Sequence, residues 1–88
     1  YTVRVAGLTS AERDAVVRDL AVVGDARLAF ACVPAGLLVF EPTPNRDRNS
    51  ARSSASTVLT SRAQRDRITE VRLSLADAET ACAEARNR

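Results

Sequence analysis

Two kinds of residue in this 88-residue chain carry usable chemistry: a pair of cysteines, Cys32 and Cys82, and thirteen basic residues that are all arginine. The thiols are far apart in sequence, with no CxxC spacing and no histidine to complete a ligand set, so they do not form a metal motif. They read first as two small buried apolar side chains. One disulfide is the alternative, and it requires an oxidising compartment. The all-arginine basicity reads mainly as the codon bias of a GC-rich bacterial genome. Its functional counterpart is bidentate guanidinium binding to phosphate or carboxylate, which lysine does less well. A formal net charge of only +2 argues against that counterpart.

The missing residue types exclude more. Without His, Lys, Trp or Met, the chain lacks the commonest general base, the Schiff-base amine and the best stacking platform. Acid-base work would fall to Glu12, Asp14, Glu41 or Glu70, and these make no evident pair, so neither catalysis nor a cofactor is expected. No apolar run approaches a membrane span and no targeting segment is visible, which favours a cytoplasmic setting. The first residue is Tyr rather than Met, as in a processed chain or a piece of a longer one.

The positive charge is concentrated. Residues 45–72 hold seven Arg against three acids, net +4, while the flanking segments are each net −1. Within that middle third, Asn45 to Ser56 (NRDRNSARSSAS) has no apolar residue beyond Ala and reads as an Arg/Ser-rich loop inserted in a single domain. Its serines, close to Arg, are candidate phosphorylation targets.

The elements that must position these residues follow from hydrophobic periodicity. Tyr1 to Ala6 alternates with period two, setting Val3 and Val5 opposite Thr2 and Arg4, as a half-buried strand does. Thr9-Ser10-Ala11-Glu12 fits a capping box, and a helix with Val16, Leu20 and Val23 on its inner face should run from there to Gly24. Ala26 to Val33 predicts a second strand, with Leu28, Phe30 and Cys32 on one face. Pro34-Ala35-Gly36 turns the chain into a third strand, Leu37 to Glu41, apolar on both faces. Ser56 to Arg67 has loose helical spacing, Ile68 to Ser74 alternates again, and Ser74 to Asp77 caps a final helix whose Ala78, Ala81, Cys82 and Ala85 make a smooth stripe.

The order β-α-β-β-α-β with a trailing helix predicts an α+β, ferredoxin-like split βαβ sandwich: a four-stranded antiparallel sheet with two helices on one face and an extra C-terminal helix. Residues 3–41 resemble the heavy-metal-associated domain family of copper and mercury carriers. VRVAGLT stands at that family's first strand and Gly-Met-Thr, RDLAVVG at the end of its first helix, and DARLAFACVPAGLLVFE at its hairpin. The resemblance implies the fold and soft-metal carriage by a CxxC loop. That loop is here Ser10-Ala11-Glu12-Arg13, without a thiol, so the fold is carried over and the metal is not.

The sheet face opposite the two helices is expected to carry Thr2, Arg4, Leu38, Phe40, Glu70 and Arg72. Leu38 and Phe40 between Arg4 and Arg72 make an apolar strip with charged edges, as at a surface covered by a partner, by a second copy or by the last helix. The leading expectation is therefore a non-catalytic interaction or structural module, a domain or subunit of a larger assembly or homo-oligomer, with Arg4, Leu38, Phe40 and Arg72 as its partner-binding residues and the exposed edge of the second strand and the Ala-striped last helix as further interaction surfaces. The runner-up is an RNA or anion binder using Arg46, Arg48, Arg52, Arg62, Arg65 and Arg67, since RNA-recognition domains share the plan. Phe40 alone would supply base stacking there. A degenerate metal-carrier-like domain is the third reading.

Overall fold

The computed structural model describes residues 1–87 and begins as the alternation in TVRV requires, with strand β1 (Thr2–Val5). Helix α1 (Ser10–Val23) opens on a complete capping box: the Thr9 hydroxyl accepts from the Glu12 amide at 3.1 Å, and Glu12 Oε1 accepts from the Thr9 amide at 3.0 Å. It stops at Gly24, whose φ of 81° is left-handed. Ala15, Val16 and Leu20 are buried, but Val23, at the last position of the helix, is not.

Strands β2 (Ala26–Cys32) and β3 (Leu37–Pro42) form the hairpin. Gly36 in its turn has φ 68°, and a Cβ there would lie 2.6 Å from the Val5 carbonyl oxygen, so close approach to β1 as well as backbone sign demands glycine. Helix α2 (Arg48–Arg62), a short 3-10 turn at Arg65–Arg67, strand β4 (Ile68–Val71) and helix α3 (Leu75–Arg86) complete the chain. Ser74 caps α3 through its hydroxyl, which accepts from the Asp77 amide.

Neighbouring strands are antiparallel, in the order β2-β3-β1-β4. This is the α+β, ferredoxin-like arrangement that the element order implies.

Three expectations are corrected. The first is the Arg/Ser loop: the segment 45–56 is helical from Arg48 onward, and α2 ends at Arg62 rather than Arg67. Its buried positions are Ala51, Ala55, Val58 and Leu59, a helical face whose first half is alanine and so carries little hydrophobic signal. Part of its polar face is satisfied internally: the Thr57 and Thr60 hydroxyls donate to the Ser53 and Ser56 carbonyls.

The second concerns the sheet faces. Val3 pairs with Leu38 on one side and Glu70 on the other, and directly opposed residues share a face. Leu38 and Phe40 therefore lie with Val3 and Val5 under α1 and α2, buried in the main core with Leu20, Ala55 and Leu59. They are not surface residues. The strand LLVFE is apolar on both faces, so only its register against β1 decides which side each residue takes.

The third concerns β2. A bulge between Leu28 and Phe30 reverses the alternation, so that Leu28 packs toward the helices while Phe30 and Cys32 pack toward α3.

The second face of the sheet is covered by α3. Cys32, Leu37, Ala78 and Cys82 form a separate small core there, and Cys32 and Cys82 are joined by a disulfide. The cysteines are therefore bridged rather than merely two small apolar side chains.

Candidate functional site

The four residues expected to bind a partner do not form one surface. Leu38 and Phe40 are core, Arg4 is exposed and projects from β1 opposite Val3 and Val5, and Arg72 lies just beyond β4. Phe40 and Arg72 do line one cavity together, near the end of the sheet where β1 begins and β4 ends.

Four of the six arginines expected to bind anions hold elements together. The Arg62 guanidinium donates to both carboxylate oxygens of Asp19, at 2.7 and 3.0 Å, tying α2 to α1 and holding that carboxyl below its ordinary value. Arg52 grips both oxygens of Glu70, joining α2 to β4, and its guanidinium carbon lies 5.1 Å over the Tyr1 ring. Arg46 pairs with Asp25 at 3.6 Å. Arg48 and Arg65 make no ion pair among the described residues.

Arg67 makes the densest of these clasps. It donates to the Ala6 and Gly7 carbonyls at 2.8 and 3.1 Å and to both oxygens of Glu12 at 2.9 Å. Glu12 thus closes the α1 capping box and anchors Arg67 at once. The Arg67 hydrogen bonds, more than the opposing desolvation, lower the Glu12 pKa from 4.5 to about 2. Between those values the unfolded chain binds more protons at Glu12 than the folded one. This clasp therefore contributes stability that is present above pH 4.5 and is lost as pH falls through about 2. In urea unfolding at stepped pH, Arg67→Gln should flatten the acid limb between those values; an unchanged limb would show that other carboxylates set it.

The surface with exposed apolar character lies elsewhere, in a groove of about 600 Å³ between α1 and β2. One wall is the helix flank of Arg13, Val17, Leu20 and Ala21, and the other is β2 from Ala26 to Ala31. On the α1 side Val17 is 46% exposed, and Ala21 beside it is exposed as well. β2 hydrogen-bonds only to β3, so its outer edge keeps its backbone donors and acceptors unpaired within the sheet. The charged residues lining this groove are Arg13 and Arg27, with no carboxylate among them.

Sequence reasoning named the exposed edge of β2 as an interaction surface but missed the helix wall, whose Val17 lies outside the buried face of α1. The available signal was the surplus of valines in AVVRDLAVV, more than one helix face can bury. Among the described residues no three His, Cys, Asp or Glu side chains are placed to hold a metal ion, and no helix is long and apolar enough to cross a membrane. No protein-family model, curated protein or solved structure matches the chain.

Proposed function

We propose that this chain is a non-catalytic protein-interaction module that binds an extended segment of a partner protein along the outer edge of β2. The observation that carries the reading is the make-up of the groove: one wall is an open strand edge and the other an exposed aliphatic helix flank. Strand addition uses such walls for different purposes. Backbone hydrogen bonds to the edge supply affinity, and alternate side chains of the added strand lie against the helix. Arg13 and Arg27 are held in exposed ion pairs with Asp14 and Glu41, pairs weak enough in water for a bound carboxylate to compete. The occupant suited to this groove is therefore apolar at alternate positions and acidic at its ends.

The probe is a set of extended hexapeptides with alternating Val or Leu and acidic ends, compared with basic-ended counterparts, titrated into 15N-labelled protein. The expected result is saturable amide shifts in β2 and in Val17 and Ala21, stronger for the acidic-ended peptides. Val17→Asp should weaken the response at least tenfold while far-UV circular dichroism stays unchanged. Shifts confined to other surfaces, or no shifts with any peptide, would overturn the reading. Shifts that depend on protein concentration alone would assign the edge to a second copy instead.

A further inference from the structure

Toward the opposite edge of the sheet, two arginines line one cavity where a pair of opposite charges would be expected. β3 and β4 both pair antiparallel with β1, so they run parallel to each other, and α2, which connects them, runs back antiparallel to both. The bidentate contact between Arg52 and Glu70 fixes the register of α2 against β4. One helical turn back from Arg52, about 6 Å along the axis, stands Arg48. Two residues on from Glu70, about 7 Å along the strand direction, stands Arg72. Both steps lead the same way, so the pair next to Arg52 and Glu70 is Arg48 and Arg72.

Arg48 and Arg72 line one cavity of about 450 Å³ together with Tyr1, Glu41, Arg52 and Glu70. Both carboxylates are already committed, Glu41 to Arg27 and Glu70 to Arg52. Among the described residues neither Arg48 nor Arg72 has an ion-pair partner. Two like charges lining one cavity repel, and each carboxylate in it is already held by another arginine. We infer that this cavity is a binding site for a phosphate group, held between the Arg48 and Arg72 guanidinium forks.

The chemistry selects the ligand class. Each fork presents parallel N–H donors that match two oxygens on a common centre, and a tetrahedral dianion offers such an edge to each side while matching both charges. A single carboxylate offers one edge and one charge. The cavity is larger than a phosphate ion, which leaves room for the organic part of a phosphate monoester. It shares no lining residue with the α1–β2 groove, so this inference stands apart from the peptide-binding proposal.

The test is thermal unfolding titrated with inorganic phosphate and, in a parallel series, glycerol 2-phosphate, with ionic strength held constant by sodium chloride. The expected result is a saturable rise of a few degrees in the melting midpoint, half-complete at millimolar phosphate. Arg48→Gln and Arg72→Gln should each weaken binding about tenfold, and the double variant should abolish it. Arg18→Gln, the same charge change on an exposed site of α1, should leave it unaltered.

A second variant separates binding from folding. Arg72→Glu supplies the missing opposite charge, so it should melt about 2 °C higher without phosphate and gain nothing when phosphate is added. A response to both ligands identifies the phosphate group of an ester as the target, and a response to the free ion alone restricts the site to inorganic phosphate. The inference is overturned if both glutamine variants respond like the wild type, or if chloride at matched ionic strength reproduces the shift.

Discussion

Reduction of the Cys32–Cys82 bridge lowers the unfolding free energy of this domain by about 4 kcal/mol, the chain entropy released when a cross-link spanning a sequence separation of 50 is opened. The effect is large because the domain is small. A folded chain of this size has a total stability on the order of 5–10 kcal/mol, so the bridge carries a major share of it. It is also placed where noncovalent packing is thinnest. The core under α3 has only Cys32, Leu37, Ala78 and Cys82 fully buried, and the inner face of that helix is alanine and cysteine, which bury little apolar area.

Guanidinium chloride unfolding with and without reductant measures the effect. The reduced protein should unfold at lower denaturant, with a steeper slope, since its unfolded chain is no longer held compact by the cross-link. Cys32→Ala with Cys82→Ala should reproduce the reduced curve. Coincident curves for oxidised and fully reduced protein would show that α3 holds its place without the bond. A bridge of this importance also argues for an oxidising setting.

The reach of the sequence reading has a physical pattern. The Thr9 and Ser74 caps, the Gly24 stop and the period-two alternation of β1 and β4 were legible because each is a local rule whose residues sit within a few positions of one another. The face taken by Leu38 and Phe40 was not, because it depends on pairing with Val3 and Leu28, which are distant in sequence. The first half of α2 was hidden by composition, since Ala51 and Ala55 bury a helix face without the usual large apolar residues. The pairing of Cys32 with Cys82 was left open, because spacing alone does not bring a strand and a terminal helix into contact.

The arginines show the same divide. Their concentration between residues 45 and 72 is evident in the sequence, but whether a guanidinium is a clasp or a binding group depends on its partner. Arg62 and Arg67 find Asp19 and Glu12 across the fold, while Arg48 and Arg72 line one cavity without an ion-pair partner among the described residues. One sequence does not contain that information. The register between α2 and β4 does.

Replacing Phe40 is expected to test the register directly, with an effect comparable to loss of the disulfide. Phe40 is 3% exposed, packs in the main core, and sets its ring 5.9 Å from that of Tyr1. Truncation to alanine removes most of a large apolar side chain and leaves a cavity that the sheet and α2 cannot fully close, so Phe40→Ala should destabilise by about 3–5 kcal/mol. In a chain of this length that lowers the melting midpoint by on the order of 20 °C. Phe40→Leu should lose much less, and Phe40→Asp should not fold, because it leaves a carboxylate without a partner beneath the helices. The contrast lies in the adjacent residue. Val39 points to the opposite face, where it is only half-buried beside α3, so Val39→Asp should leave a folded protein that melts lower but cooperatively. If Phe40→Asp were folded and Val39→Asp were not, β3 would be turned the other way and the surface strip of Leu38 and Phe40 restored. The pairing of Val3 with Leu38 gives the opposite order, and the two variants side by side decide between them.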